Sequence, residues 1–208
     1  NVAFCGVDSL DELLNLLTSC KKELGSDLSA FEVLWKSTYE FIICSTSIKA
    51  PLPTKYNYYV LIETLGNKPA IDDKWFSETL SKFLSKKIIK DAIISSSQKD
   101  IKNLWNVRNN TSTAFKTIPL RMNFDISVNL NLIQKFVAQL EKEILAFKEV
   151  KDILFFGHLG DNNLHAVVVC HELKEKIKKI FYKIVGEYNG SISAEHGIGL
   201  EKKAYLHL

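Results

Sequence analysis

The sequence predicts an α+β domain, in which an antiparallel sheet carries helices on one face and consists of two ferredoxin-like halves. Segments rich in β-branched and aromatic residues alternate with segments whose apolar residues recur at helical spacing. The order strand-helix-strand-strand-helix-strand occurs twice along the chain. Because no repeat is visible in the residues themselves, the duplication is predicted only at the level of architecture. One domain over residues 1–208 is therefore expected, with possible sub-halves 1–98 and 118–208.

The first half begins with a capped helix. Ser9 stands three residues before Glu12, which is the pattern of a capping box, and Gly25 ends the helix. Its apolar face is formed by Leu10, Leu13, Leu14 and Leu17. The remaining predicted elements are strands 30–35 and 56–65 with a proline-containing loop between them, a helix from 73 to about 89, and a short strand 92–95.

The second half repeats this order. Strand 120–128 is followed by a helix with the apolar face Ile133, Phe136, Val137, Leu140 and Ile144. Two strands then flank the stretch FFGHLGDNNLHAVVVC, residues 155–170. A second helix face follows on Leu173, Ile177, Ile180, Phe181, Ile184 and Tyr188, and residues 191–195 form a last predicted strand.

Composition indicates an ordinary soluble enzyme. Hydrophobic residues make up 46% and charged residues 25% of the chain, and the net charge of +3 gives no support for nucleic-acid binding. No apolar run approaches the roughly 20 residues that span a bilayer. Because the cysteines form no CxxC pair, they are expected to be free buried thiols in a reducing compartment: Cys5, Cys20, Cys44 and Cys170.

Two histidines flank the turn of the predicted hairpin. If Asp161 and Asn162 form a two-residue loop, His158 lies directly opposite His165, with Cβ atoms about 5 Å apart. Two imidazoles at that separation can bind one cation. The alternative is a hairpin whose histidines bind backbone groups or water. The metal is favoured because both imidazoles share a covered apolar face with Leu154, Phe156, Val167 and Val169.

A third ligand is expected in the segment GSISAEHGIGLEKK, residues 190–203. Glu195 ends the last predicted strand, and His196 opens the glycine-rich turn that follows it. Two histidines and one carboxylate are a common ligand set for a catalytic divalent metal with a position open to substrate. Spacing alone leaves open whether Glu195 reaches the hairpin.

The motifs GHLGDNNLH and SAEHGIG together resemble the C-terminal substrate domain of FAD-linked oxidases, flavoproteins of the vanillyl-alcohol-oxidase type. The nearest branch is that of the D-2-hydroxyacid dehydrogenases, which act on D-2-hydroxyglutarate, D-lactate or glycolate. The segments VAFCGVDSLDELLNLL, DLSAFEVLW and LWNVRNN share this resemblance, so that it covers nearly the whole chain. It implies a domain that takes part in oxidising a D-2-hydroxy acid to a 2-oxo acid, with hydride transfer to FAD.

The resemblance also implies roles for individual residues. His158, His165 and Glu195 match the ligands of a zinc or manganese ion that holds the substrate oxygens. His196 matches the general base that takes the 2-hydroxyl proton, and Arg108 matches an arginine that clamps the substrate carboxylate. Without the resemblance, His196 would be interpreted as a turn-capping or exposed residue, and Arg108 as a solvated charge at a helix end.

Several positions depart from the pattern of this family. Asn162 replaces a glycine of the hairpin, although asparagine also accepts a left-handed backbone. A substrate-binding lysine aligns with Asn123, and Arg121 on the same strand face is expected to supply the missing charge. The other departures are Asn109 in place of a glutamate, Ser112 in place of a threonine that touches substrate, and Val167 in place of an asparagine near the metal.

The family binds FAD mainly through an N-terminal domain of the same polypeptide, and no such segment precedes Asn1 in this chain. The chain also starts without Met and ends on YLHL, so it is expected to be part of a longer protein that alone binds FAD weakly or not at all. The expected partners are a small 2-hydroxy acid and the FAD-binding domain, and a homodimer is left open. The expected location is cytoplasmic, with peripheral association to the inner membrane through an electron acceptor as an open alternative. The alternative is a stand-alone metal or small-acid binding module without catalysis.

Overall fold

The computed structural model describes residues 1–172 and 175–207. Leu173, predicted on a helix face, and the terminal Leu208 lie outside the described residues. The chain forms two compact units, the first over Asn1–Thr117 and the second from Ile118 onward. The first unit extends beyond the predicted boundary at residue 98 because two further helices belong to it.

The first unit contains four antiparallel strands in the order β4-β1-β3-β2, which is the order of a ferredoxin-like unit. Its elements are β1 (Val2–Val7), α1 (Leu10–Leu24), β2 (Leu28–Trp35), α2 (Lys36–Ser45), β3 (Tyr58–Thr64), α3 (Pro69–Ser85), β4 (Asp91–Ile94), α4 (Gln98–Asn109) and α5 (Thr111–Phe115). The predicted helix ends are confirmed for α1, since the Ser9 hydroxyl accepts the N–H of Glu12 and Gly25 follows with a φ of 54°.

Helices cover both faces of the sheet in the first unit. All six residues of β1 are buried, and adjacent residues of a strand point to opposite faces. On one face, burial together with the nearby thiol of Cys20 in α1 raises the pKa of the Cys5 thiol. On the other face, the ring of Phe4 lies 5.6 Å from that of Tyr39 in α2. The layer that contains α2 was not predicted.

Three of the four predicted buried thiols are confirmed, and one prediction was wrong. Cys5, Cys20 and Cys170 are buried and free. Cys44 is free but exposed, because it lies on the outer side of the unpredicted helix α2. Burial raises the pKa of the Cys20 thiol to about 12, which keeps this thiol protonated and unreactive at neutral pH.

The second unit contains three antiparallel strands in the order β6-β7-β5 and two long helices. Its elements are β5 (Arg121–Ser127), α6 (Ile133–Ile144), β6 (Val150–Gly157), β7 (Asn163–Cys170) and α7 (Glu175–Glu187). The strand predicted over 191–195 is wrong, because only Ser191 pairs with β5, through Ser127. The backbone N–H groups of residues 194–196 bind a side chain instead, as described below.

The two helices of the second unit pack on one face of its strands, as predicted. The ring of Phe124 in β5 stacks on Phe181 in α7 with centroids 3.6 Å apart, and Tyr182 contacts Phe124 edge to face. α6 packs beside α7. By alternation, the opposite face of β5 and β7 carries Asp125 and His165. That face holds the candidate site.

The predicted hairpin register was wrong by two residues. His165 pairs with Phe156, and His158 lies beyond the end of β6. The loop is longer than two residues because Leu159 is drawn into the core and a 3-10 turn spans Leu159–Asp161. Asn162 follows it in the left-handed conformation predicted for it, with a φ of 61°. A shift of two residues preserves the strand face, so the histidines remain on the same side.

We expect Phe181→Ala to destabilise the protein by about 3 to 5 kcal/mol, because it removes a fully buried ring from the stack with Phe124. Leu145→Ala is the matched control, since Leu145 is 45% exposed, and it should cost less than about 1 kcal/mol. Urea denaturation of both variants measures the difference. Equal losses would contradict the assignment of Phe181 to the core of the second unit.

Candidate metal centre

The candidate site is built from two strands, the end of the hairpin and one loop. Asp125 of β5 and His165 of β7 are directly opposed in the strand register. His158 lies at the start of the hairpin turn, and the loop after Ser191 supplies Glu195 and His196. All five residues belong to the second unit. The structure thus brings together the three predicted metal ligands and the predicted base.

Three imidazoles surround one carboxylate oxygen. Oε1 of Glu195 lies 3.2 Å from Nε2 of His165, 3.7 Å from Nε2 of His196 and 3.8 Å from Nε2 of His158. The ring of His165 lies 5.7 Å from that of His158 and 5.4 Å from that of His196. The ring nitrogens of three separate chain segments therefore point to a common centre.

This centre has a buried base and an open side. The side chain of His165 is 7% exposed and lies 4.8 Å from the ring of Phe156. The side chains of His158, Glu195 and His196 are 31%, 48% and 65% exposed. One ligand candidate is therefore held rigidly by packing, while His196 is accessible to a small molecule.

The carboxylate of Asp125, which was not predicted as a site residue, lies beneath the centre. Its Oδ2 accepts the backbone N–H groups of Ala194, Glu195 and His196 at 3.2, 3.0 and 2.8 Å. Its Oδ1 lies 3.6 Å from Nδ1 of His165. Burial alone would raise the pKa of Asp125, but the N–H groups of His196 and Glu195 and the nearby positive charges hold it below its ordinary value.

Lys202 supplies the main fixed positive charge near Asp125. Its Nζ lies 3.7 Å from Oδ2 of Asp125 and donates to the backbone oxygen of Asp125 and to Oγ of Ser193. Only 12% of this side chain is exposed. Burial lowers the pKa of Lys202, while the carboxylate of Asp125 opposes that shift. The opposite charges of Lys202 and Asp125 therefore compensate each other inside the protein.

The donors present fit a divalent metal. Among the described residues, Asp125, His165, Glu195 and His196 place ligand atoms within 4.8 Å of one another. His158 is not in that set, yet its Nε2 approaches Glu195 about as closely as that of His196 does. Imidazole nitrogens with one or two carboxylates suit zinc and related transition metals. Oδ1 of Asp125 accepts no hydrogen bond within the described part of the chain, so one buried acceptor faces His165.

A polar cavity of about 330 Å³ adjoins the centre on the side of the hairpin turn. Its lining residues are Ser127, His158, Asp161, Asn163, Ser191, Ser193, Ala194 and Glu195. Asn163 is buried, and in the described residues its side-chain oxygen has no hydrogen-bond partner. The cavity provides space for water or a small polar molecule next to His158 and Glu195.

Two of the predicted substrate-binding residues lie in the first unit. Arg108 lies in the last turn of α4, where its Nε donates to the buried carboxylate of Glu32 at 2.7 Å and its Nη1 donates to Thr111. The alternative of a solvated helix-end charge is therefore wrong. Ser112 lies exposed on α5. Their roles toward a substrate stay predictions.

The other two predicted substrate-binding residues share a strand face with Asp125. Arg121 and Asn123 precede it on β5 at alternate positions. Asn123 is exposed and lies opposite Val167, whereas Arg121 is half-buried and its Nη1 donates to the backbone oxygen of Ile118. The strand face that carries Asp125 thus also carries the guanidinium of Arg121.

Sequence reasoning missed Asp125 and Lys202. The signal for Asp125 was its position in RMNFDIS, since it falls on the same strand face as Asn123. An acidic residue on a covered strand face requires a partner, and a neighbouring strand with two histidines could supply one. Lys202 gives no local signal, because a lysine in GLEKK is usually solvated.

Similar proteins in the curated set are oxidoreductases of D-2-hydroxy acids. A putative mitochondrial D-lactate dehydrogenase of Schizosaccharomyces pombe is 29% identical over 99% of this chain and 42% of its own length. A D-2-hydroxyglutarate–pyruvate transhydrogenase of Saccharomyces cerevisiae is 31% identical over the whole chain and 44% of its own. The mitochondrial D-2-hydroxyglutarate dehydrogenase of Danio rerio is 29% identical over the whole of this chain and 39% of its own length. The chain thus spans less than half the length of these relatives.

Two of these relatives are mitochondrial proteins, which contradicts the expected cytoplasmic location. The prediction was wrong because composition carries no information about a location that a different part of a protein can encode. Among the helices of the described residues, none combines the length and the apolar character that a membrane span requires.

Solved structures share the fold at low sequence identity. An alkyldihydroxyacetonephosphate synthase matches 93% of this chain and 41% of its own with a TM-score of 0.68 and 13% identity. A 4-ethylphenol oxidase from Gulosibacter chungangensis matches 92% of this chain and 45% of its own, with a TM-score of 0.58 and 14% identity. The family model described as FAD linked oxidases, C-terminal domain, matches residues 1–208. The predicted resemblance is therefore confirmed, and the chain belongs to the C-terminal domain family of the FAD linked oxidases.

Proposed function

We propose that this chain is the substrate- and metal-binding domain of a flavin-dependent dehydrogenase that oxidises a D-2-hydroxy acid to the 2-oxo acid. The observation that carries the proposal is the approach of His158, His165 and His196 to a single carboxylate oxygen of Glu195. Support also comes from the relatives, whose names state D-lactate or D-2-hydroxyglutarate as what they act on.

We assign His158, His165 and Glu195 as the residues that would hold a zinc or manganese ion. When bound, the cation would lower the pKa of the substrate hydroxyl and neutralise the adjacent carboxylate. The protein contributes a site that is fixed on one side and open on the other. His165 is packed against Phe156, whereas Glu195 is half exposed and can turn toward a ligand.

His196 would act as the general base. Its imidazole is the most exposed of the three, which suits a group that must reach a hydroxyl of a bound substrate. Its Nδ1 lies 4.0 Å from Oδ2 of Asp125, so the ring stands above the buried carboxylate and its Nε2 is on the side of Glu195. FAD, bound mainly by another domain of the same polypeptide, would accept the hydride.

The substrate carboxylates would be bound by arginine side chains. Arg108 presents a planar guanidinium whose Nε is fixed by Glu32, so its orientation is set before a substrate arrives. Ser112 and Asn123 are exposed and can donate hydrogen bonds. Arg121 would supply the charge for a second carboxylate, in place of the lysine that aligns with Asn123.

A mitochondrial location, as in two relatives, is proposed as well.

We expect the double variant His158→Ala, His165→Ala of the full-length protein to lose its bound zinc or manganese. Wild type should hold about one ion per chain, since two of the three protein ligands are removed in the variant. Elemental analysis after gel filtration measures the ratio. His171→Ala is the control, because His171 is exposed and lies outside the site. Full metal content in the double variant would contradict the assignment of these ligands.

We expect His196→Ala to lower kcat by about 100-fold or more while the metal content stays at the wild-type level. The reason is that the variant lacks the base but keeps His158, His165 and Glu195. Steady-state kinetics with a dye acceptor and elemental analysis are measured on the same preparation. Loss of the metal together with activity would show that His196 is a ligand, and an unchanged kcat would remove it from the mechanism.

We expect Arg121→Ala to impair oxidation of dicarboxylic hydroxy acids far more than that of D-lactate, because only the former carry a second carboxylate for this guanidinium. A reduction of kcat/KM by about 10-fold or more for D-2-hydroxyglutarate and D-malate corresponds to a lost charged hydrogen bond. Asn123→Lys, which introduces the charge at the neighbouring position, should raise kcat/KM for the same acids. An equal reduction of kcat/KM for D-lactate and for the dicarboxylates in Arg121→Ala would contradict this assignment.

A further inference from the structure

We propose that Asp125 is the positioning residue of the metal centre: it holds the loop that carries Glu195 and lies against the ring of His165, so it contacts two ligands from distant parts of the chain. Its Oδ2 accepts the backbone N–H groups of the segment that carries Glu195 and His196, and its Oδ1 lies 3.6 Å from Nδ1 of His165. This inference rests on the proposed function, since it concerns how the same site is assembled. It adds a residue that the family resemblance did not point to.

Oδ2 of Asp125 acts as the centre around which the loop folds. The N–H groups of residues 194, 195 and 196 converge on this one oxygen, and the hydroxyl of Ser193 lies 3.4 Å from it. Successive N–H groups that point to one anion form a nest, a conformation that is favourable only while the anion is present. Without the negative charge, three adjacent backbone donors would lose their common acceptor, and Glu195 would lose its fixed position.

Oδ1 of Asp125 and Oε1 of Glu195 lie on opposite sides of the His165 ring. The first is 3.6 Å from Nδ1, and the second is 3.2 Å from Nε2. The ring of His165 therefore lies between two carboxylates, with Asp125 beside one nitrogen and Glu195 beside the other. Because the two ring nitrogens point in different directions, Asp125 supports the ring from the side away from Glu195.

Lys202 allows this carboxylate to be buried. Asp125 is 3% exposed, and an ionised carboxylate at such a position requires a nearby positive charge. Lys202 provides it, and its Nζ also donates to Ser193 at the opposite end of the loop. Gly197 and Gly199 lie between them at φ values of 74° and 53°, where a glycine turns the chain without the strain that most other residues would incur. Ser193 and Lys202, at the two ends of the loop, therefore both contact Asp125.

The test compares wild type with Asp125→Asn in the full-length protein. The variant keeps the size of the side chain but removes its charge and one acceptor. We expect the affinity of the metal-stripped protein for added zinc to fall by about 10-fold to 100-fold, as is usual when a group behind a metal ligand is changed. Without metal, the amides of residues 194–196 should exchange hydrogen faster by a similar factor. Asp152→Asn, on strand β6 beyond β7, is the matched control and should change neither value.

A second variant covers the case in which Asp125→Asn leaves Lys202 unpaired and fails to fold. The double change Asp125→Asn, Lys202→Met removes both charges of the pair, so we expect it to fold, with weak zinc binding and fast exchange retained. Zinc affinity and amide exchange equal to wild type in either folded variant would overturn the proposal. Wild-type protein that binds no zinc would overturn the proposed function and the metal part of this inference, whereas the exchange rates would still decide the role of Asp125 in the loop.

Discussion

The buried ion pair between Asp125 and Lys202 is the interaction on which the candidate site depends. A buried carboxylate is costly unless its charge is compensated, and here three backbone N–H groups donate to Oδ2 while Nζ of Lys202 lies 3.7 Å from it. The same contacts explain why residues 191–195 form no strand beyond the bridge at Ser191, since their N–H groups are directed to a side chain. Because the backbone N–H groups of residues 194–196 bind the carboxylate of Asp125, the second unit has a loop that carries Glu195 and His196 where a last strand was predicted.

The two units share the ferredoxin-like arrangement, with four strands in the first and three in the described part of the second, but the faces of their sheets carry different residues. In the first, apolar residues of β1 face helices on both sides, and its polar interior is limited to groups such as Glu32, which binds Arg108. In the second, α7 packs on one face with α6 beside it, and the other face carries Asp125 and His165 among apolar residues such as Phe156. The stacked pair Phe124 and Phe181 fixes β5 against α7, and this fixes the adjacent Asp125 on the opposite face. Core packing on one side thus determines the geometry of the site on the other.

Much of this arrangement is readable from the sequence, because strand parity is a strong constraint. The alternation around His165 gave the correct face although the register at His158 was off by two, since an even shift preserves the face. The turn could not be predicted, because it depends on burial of Leu159, which is a tertiary effect. Contacts such as those of Lys202 with Asp125 and of Arg108 with Glu32 join distant positions, and no local pattern predicts them. The helix α2 was missed because its β-branched and aromatic residues resemble a strand.

The central claim is that the histidines and Glu195 form a metal centre open to a hydroxy acid. X-ray absorption at the zinc edge, recorded on full-length protein loaded with zinc, tests it most directly. We expect two imidazole ligands at about 2.0 to 2.1 Å and an oxygen shell that changes when D-2-hydroxyglutarate or D-lactate is added. Imidazole scattering that persists unchanged in the double variant His158→Ala, His165→Ala would contradict the claim, as would a coordination shell that no hydroxy acid alters.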